Sequence, residues 1–241
     1  MDAPTLVVIP TYNERETLPD IVKAVRAAVP GAFIQVVDDN SPDGTGALAD
    51  EIAAADPQVE VLHRPGKQGL GAAYLDAFRR ALAAPRGYAR IVQMDCDFSH
   101  DPKDVPRLLK ALDEGADMAI GSRYVAGGST ENWNFARRVI SRGGGTYARL
   151  VLGVDIQDLT AGFKAWKVET LRAIDLAAVT TRGYGFQIEM SYRVVTAGFR
   201  VVEVPIKFVD RRVGQSKMSG LIVTEAMTMV WSLRRRVPRK R

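Results

Sequence analysis

The sequence predicts an α/β fold in which a mostly parallel sheet carries helices on both faces. Two observations predict it. Continuous apolar runs rich in valine and isoleucine alternate with helical patterns through the first half of the chain, which is how buried parallel strands and their crossover helices read. The unusual polar residues of that half fall just after the apolar runs, at the expected carboxyl ends of the strands, where open α/β sheets bind ligands.

Taken in order, "TLVVIP" (5–10) reads as a strand, followed by a helix over about 16–29. "FIQVVDD" (33–39) is the next strand and "GTGALADEIAAAD" the next helix; "VEVLHR" and "GAAYLDAFRRALAA" repeat the alternation. "ARIVQMD" and "DMAIGSR" are further strands, with "DVPRLLKALDEG" helical between them. The second half is less regular. "ENWNFARRVISRGGGTYARLVLG" reads as a basic helix broken by the glycines at 143–145, "GYGFQIEMSYRVVTAG" as a buried helix, and "RVVEVPIKFVDRR" as one strand. No repeat or low-complexity linker divides the chain. It reads as one Rossmann-like catalytic domain over residues 1–217, with a C-terminal amphipathic helix and basic tail over 218–241.

Composition bounds the function. At 241 residues, 46% hydrophobic and 25% charged, the chain is an ordinary globular one. Its one cysteine, Cys96, excludes an internal disulfide framework and suits a reducing compartment. "MDAPTLVVIPTYNE" enters a strand directly, without the basic start and long apolar stretch of a signal peptide, and no run of about 18 apolar residues predicts a membrane span. The net charge is +5, yet the last eight residues, "RRRVPRKR", hold six positive charges. Without them 27 basic residues face 28 acidic ones. Basicity is a property of the tail, and a nucleic-acid groove across the fold is not implied.

Five strand ends carry the candidate site: Pro10, Tyr12, Asn13 and Glu14; Asp38, Asp39, Asn40, Ser41 and Asp43; Lys67 and Gly69; Asp95 and Asp97; Ser122 and Arg123. Asp43, just ahead of a helix, reads as its cap. In extended backbone, residues two apart share a face, so Asp95 and Asp97 repel each other and lose hydration. A divalent cation removes that repulsion, since Mg²⁺ or Mn²⁺ takes one or two carboxylates and completes its shell with phosphate oxygens and water. The competing reading is an Asp–Arg bridge plus a helix cap; the strand-end placement and the Asp38/Asp39 cluster favour the metal. Asp38 and Asp39 suit a ribose or base pocket, with metal binding as the alternative. "RPGKQGLGAAY" is neither G-x-G-x-x-G nor a P-loop, and its glycines read as a tight turn entering a helix. His63 and His100 read as turn residues. Asp158, Thr160 and Lys164 in "DLTAGFKAW" form either a capped turn before a strand or a wall of the site. Gln187 and Glu189 form either a buried pair or a substrate contact.

"VVIPTYNE", "VVDDNSPDGT", "GKQGLGAAY", "MDCDFSHDP", "GSRY", "DLTAGFKAW", "RGYGFQIEM" and "DRRVGQSKM" follow one another in this order. Together they resemble the inverting family 2 glycosyltransferases of GT-A fold, and more narrowly the polyprenol (dolichol) phosphate mannose synthases, from Thr5 to about Met218. The resemblance implies GDP-mannose as donor, a polyprenyl phosphate in the membrane as acceptor, and a Mg²⁺ or Mn²⁺ ion. By motif, Pro10, Tyr12 and Glu14 would line the guanosine pocket with Asp38 or Asp39, and Lys67 would join the donor side. Asp95 and Asp97 would be the metal-binding D-x-D, with Asp95 also at the donor. The family often has Gln two places after the second Asp; this chain has Ser99. Arg123, Arg137 or Arg138, and Arg211 with Ser216 and Lys217 match the acceptor-phosphate positions, and catalysis would rest on Asp95, Asp97, Arg123 and Arg211.

A phosphate monoester is anionic near neutral pH, so the reaction needs no general base, and the lack of an obvious Ser/His/Asp set is consistent with it. Positive charge is needed at the departing diphosphate and at the acceptor phosphate. The apolar stretch 221–233 is too short to span a bilayer, but Trp231 and the following arginines suit a headgroup boundary. Many members of the resembled family use added membrane helices or a membrane-embedded partner; here the expectation is peripheral binding at the cytoplasmic face, with such a partner as a hypothesis. Two rivals stand: a related enzyme using UDP-glucose or another sugar nucleotide, and a noncatalytic membrane- or nucleic-acid-binding protein. The acidic strand-end cluster opposes the second.

Overall fold

Valine- and isoleucine-rich runs with no polar face need cover on both sides, and the chain provides it. The computed structural model describes residues 4–133, 135–181, 183–209 and 220–237. In chain order the strands are β1 (Thr5–Thr11), β2 (Phe33–Asp38), β3 (Val59–His63), β4 (Arg90–Gln93), β5 (Met118–Ser122), β6 (Ser129–Glu131), β7 (Lys164–Lys167), β8 (Val201–Pro205) and β9 (Lys207–Val209). Seven of them form one sheet in the order β3-β2-β1-β4-β7-β5-β8, and β6 pairs with β9 in a short separate ladder. All pairings in the large sheet are parallel except those of β7, which runs antiparallel to both β4 and β5.

The helices are α1 (Leu18–Ala28), α2 (Thr45–Ala55), α3 (Leu70–Ala83), α4 (Val105–Asp113), α5 (Phe135–Leu152), α6 (Val168–Ala173), α7 (Tyr184–Thr196) and α8 (Gly220–Arg236). Two apolar cores lie on opposite faces of the sheet. One joins β-strand residues to Ile21 and Val25 of α1 and Leu108 and Leu112 of α4. The other joins them to Tyr74 and Phe78 of α3, Leu152 of α5 and Phe186 and Met190 of α7. Spacing explains the packing: Val105, Leu108, Leu109 and Leu112 recur at helical intervals and all are buried. A 3₁₀ turn over Pro102–Asp104 starts that segment, with the Asp101 carboxylate accepting from the Lys103 N–H at 2.9 Å.

Three expectations are corrected. Helix α5 runs without interruption through residues 143–145. Burial of Ala148, Val151 and Leu152 on the core outweighs a glycine cost of about 1 kcal/mol per residue. The segment read as a single C-terminal strand is two strands, because Ile206 donates to the Ser122 carbonyl while its own carbonyl accepts from Ser129, transferring the chain from β5 to β6. Strand β4 ends at Gln93, so Asp95 and Asp97 lie beyond the extended backbone on which their shared face was argued.

Candidate active site

The ends of β1, β2 and β3 are laced together by short polar side chains. Backbone N–H groups of Asn13, Glu14 and Arg15 donate to Ser41 Oγ, Thr45 Oγ1 and Asp43 Oδ2 at 3.1, 3.0 and 3.3 Å. Asp43 Oδ1 also accepts from the Thr45 N–H and hydroxyl, fixing the entry to α2. Asp38 is buried and accepts from Thr11 Oγ1, Ser41 Oγ and the Ser41 N–H at 3.1, 2.5 and 3.1 Å. Its carboxylate shapes the turn. Asp39 is paired through Oδ1 with Arg64, whose side chain is only 3% exposed and which also holds Asp76 and Gln68. The Lys67 ammonium lies 3.8 Å from the Tyr12 ring centroid, closing the β1 loop against the β3 loop. The structure therefore gathers Pro10, Tyr12, Glu14, Asp38, Asp39 and Lys67 at one end of the rim. In the glycine-rich string, Gly69 takes φ +95° at the head of α3, and Gly71 has no room for a Cβ, which would meet Phe186 at 2.9 Å.

Asp95 and Asp97 occupy a bend after β4, where Phe98 adopts φ 59°. Ser99 donates its N–H and hydroxyl to Asp97 Oδ1 at 3.0 and 2.6 Å, so the serine at the family's glutamine position braces the second carboxylate. The Tyr74 hydroxyl lies 3.4 Å from Asp95 Oδ1; burial, then the Asp95 charge, push this phenol well above its ordinary range. The Asp95 N–H donates to His100 Nδ1 at 3.0 Å. His100 is buried, stacked on Phe163 at 4.9 Å, and burial lowers its pKa, so the ring is neutral and accepts. It lies in the bend, as a turn residue should, and its buried ring also supports that bend. His63, by contrast, ends β3 and bonds Asp50 at the surface. Among the described residues no group of three or more His, Cys, Asp or Glu side chains could by itself hold a metal. Two hard carboxylates, both partly exposed, fit Mg²⁺ or Mn²⁺ of the kind that takes its remaining ligands from phosphate and water.

The antiparallel course of β7 brings its N-terminal end, and the "DLTAG" loop before it, onto the same rim. There Asp158, fully buried, accepts from the Arg123 N–H at 2.9 Å, Nε at 2.7 Å and Nη2 at 2.6 Å. Arg123 also donates to Thr160 Oγ1 at 2.7 Å. Arg123, expected at the acceptor phosphate, is largely buried and pairs with Asp158, which holds it against the loop. Its guanidinium also faces Trp133 and Phe208. Phe208 meets the His100 ring edge-on at 5.7 Å, and Arg137 lies 4.4 Å from the Trp133 ring centroid. An aromatic wall thus runs from the Asp95 bend to Arg137. Arg138 is exposed beside it. Arg211, Ser216 and Lys217 lie outside the described residues.

Lys164, at the start of β7, is fully buried and donates to the Gln187 carbonyl and Oε1, both at 2.9 Å; burial lowers its pKa to about 7. Glu189 is an internal brace: burial raises its pKa, but bonds from Arg193 and Thr181 prevail and hold it below the usual value. Sequence reading missed Arg64, Tyr74 and the support role of His100. Tyr74 ends a quoted motif, but only the folded chain, which brings α3 over the sheet to the Asp95 bend, reveals its partner.

A mostly parallel sheet whose carboxyl rim carries a braced carboxylate loop, a second carboxylate pair and an arginine–aromatic wall is the layout of an α/β protein with its candidate site along that rim. The pattern of "Glycosyl transferase family 2" matches residues 6–174, and the chain belongs to that family. A polyprenol monophosphomannose synthase of Mycolicibacterium smegmatis is 56% identical over 240 residues, covering 98% of this chain and 90% of the relative. An undecaprenyl-phosphate mannosyltransferase of Micrococcus luteus is 53% identical over 95% of this chain and 93% of its own length. Among solved structures, glucosyl-3-phosphoglycerate synthase from Mycobacterium tuberculosis, in complex with Mn²⁺, UDP and phosphoglyceric acid, superposes with a TM-score of 0.68 at 19% identity, over 96% of this chain and 78% of that one. The GT-A-type fold expected from the motifs is present.

Proposed function

We propose that this chain transfers mannose from GDP-mannose to a polyprenyl monophosphate with inversion, giving a β-linked polyprenyl phosphate mannose and GDP. The observation that carries the reading is near-full-length similarity at 56% identity to a polyprenol monophosphomannose synthase. The geometry supplies the chemistry. Pro10, Tyr12, Glu14 and Asp39 hold the guanosine, with Lys67 over Tyr12 closing the pocket and Asp38 setting its turn. An acceptor phosphate oxygen attacks the anomeric carbon with its own lone pair, and the bond to the diphosphate breaks toward GDP, so no proton is removed. Arg137 on Trp133 holds the phosphate in line, joined by Arg211, Ser216 and Lys217, with Arg123 fixing the loop beneath. Asp95 and Asp97 would hold a Mg²⁺ or Mn²⁺ ion, which would stabilise the diphosphate charge.

Among the described residues no helix is long and apolar enough to cross a membrane. Phe135, Val139, Ile140 and Leu150 of α5 and Trp231 of α8 are exposed. Their apolar area supports peripheral contact with the membrane that holds the acceptor; we place this contact at the cytoplasmic face, where a membrane-embedded partner can meet the enzyme.

Labelled GDP-mannose, a polyprenyl phosphate and Mn²⁺ or Mg²⁺ should yield metal-dependent label extractable into organic solvent, and Asp97→Asn should abolish it. Extractable label from UDP-glucose but none from GDP-mannose would replace the donor. Near-normal turnover by Asp97→Asn would remove the carboxylate pair from the mechanism.

A further inference from the structure

The indole N–H of Trp166, a donor only, points at Gln93 Oε1 at 3.2 Å. This fixes the Gln93 amide, so its Nε2 faces the Gly162 carbonyl at 2.7 Å and Gln187 Oε1 at 3.0 Å. Lys164, which also donates to the Gln187 carbonyl, donates to the same Gln187 side-chain oxygen at 2.9 Å. Two donors on one oxygen leave a single orientation for the Gln187 side chain, and its NH₂ must face away from both.

Gln187 is 3% exposed, and its Nε2 has no hydrogen-bond partner among the described residues. Buried N–H groups are nearly always paired. The surroundings show where a partner would sit. A Cβ built on Gly162 would lie 3.8 Å from Gln187 Nε2, 3.8 Å from Asp95 Oδ2 and 3.3 Å from His100 Cε1. The amide and the carboxylate thus converge on the bare face of Gly162, within twice that distance of each other, and both Gly162 and Asp95 are partly exposed. The result is a cradle beside two partly exposed residues, backed by an unpaired donor that is itself shut off from solvent. A phosphate oxygen would satisfy the amide but be repelled by the carboxylate; a cation would do the reverse. A hydroxyl suits both, accepting from one and donating to the other.

We propose that Gln187 is a specificity-determining residue that reads the transferred hexose: its amide N–H donates to a sugar hydroxyl whose proton points to Asp95, in the space left by Gly162. Lys164 and Gln93 are positioning residues that hold the amide at this angle. The assignment rests on the reading of the chain as a sugar-nucleotide transferase.

The test uses the full chain with Mn²⁺, comparing GDP, GDP-mannose and singly deoxygenated GDP-mannose analogues by calorimetry and by kcat/KM. The wild type should disfavour one deoxy analogue by about tenfold to a hundredfold. Gln187→Glu keeps an oxygen for Lys164 and removes the donor. It should bring that one ratio to within about threefold of unity and leave GDP affinity within about threefold. Gly162→Ala is a second check that keeps the Gln187 side chain: the methyl, which meets the His100 ring at 3.3 Å and requires a small shift of it, should fill the cradle and lower GDP-mannose affinity to that of GDP, while unchanged Mn²⁺-dependent GDP affinity shows that the Asp95 bend is intact.

Unchanged deoxy ratios in Gln187→Glu, together with normal GDP-mannose binding by Gly162→Ala, would overturn the proposal and assign the amide to a structural water. If the wild type turns over a different sugar nucleotide, the functional reading fails separately. The same ratios on that donor's deoxy analogues then decide the role of Gln187.

Discussion

Two buried ion pairs flank the rim, with opposite roles. At β2 the group singled out by motif is the carboxylate: Asp39, its side chain 7% exposed, is held by Arg64 at 3%. At β5 it is the guanidinium: Arg123, at 8%, is held by Asp158 at 0%. In each pair the motif names one charge, while the counter-charge arrives from another loop, 25 residues away in one case and 35 in the other. Local sequence can mark a charge as unusual without showing what neutralises it. A buried charge without a partner is expensive, so both holders should matter more than their own motifs indicate.

Asp158→Ala should have the largest effect. It strips a buried guanidinium of a bidentate partner and the Arg123 N–H of its acceptor, costing about 3–5 kcal/mol in denaturant unfolding and removing turnover. Arg64→Met comes next, at about 2–4 kcal/mol, with nucleotide affinity falling more than acceptor use. The comparison breaks if Asp158→Ala costs less than about 1 kcal/mol, since Arg123 would then have another home. It sharpens if Arg123→Met with Asp158→Leu is less damaging to stability than Asp158→Ala alone, because the pair is then replaced and not orphaned.

The same distinction governs how far the sequence could be read. The strands β1, β2, β4 and β5 were legible because a strand buried on both faces must be continuously apolar. The rim was legible because polar residues cluster where such runs stop. The reversed direction of β7 was not, since a short run like "KAWK" has no direction of its own and reads alike in parallel and antiparallel pairings. Strand β6, short and largely exposed, carries no pattern. The predicted break in α5 followed glycine propensity, which tertiary packing overrode. His100 was legible as a turn residue but not as a support, because only the folded bend shows its ring accepting from Asp95 and lying on Phe163.

Between the two ion pairs, Lys164 gives a pH signature. Its folded pKa, lowered by burial to about 7 from 10.5, lies below the unfolded value. The unfolded chain therefore binds more protons between those values, and stability rises with pH across that window. Lys164→Met should flatten the rise, seen in denaturant midpoints at pH 7 and pH 9.5. An equal rise in both proteins would mean that Lys164 is not what titrates.

The smallest effect belongs to α5, on the arginine side of the rim. Gly143 and Gly144 lie in its interior, are exposed, and would meet nothing within 4 Å if given a Cβ. Neither shows the positive φ that requires glycine. Nothing in the packing asks for them, so Gly143→Ala and Gly144→Ala should each stabilise by about 0.5–1 kcal/mol, raising Tm by about 1–4 °C. Turnover separates two reasons for their presence. If it falls while Tm rises, the helix that carries Arg137 must bend during the cycle, and the acceptor side is compliant where the braced carboxylate loop is rigid. If turnover holds, both sides of the rim are equally fixed and the glycines are merely tolerated on an exposed helix face.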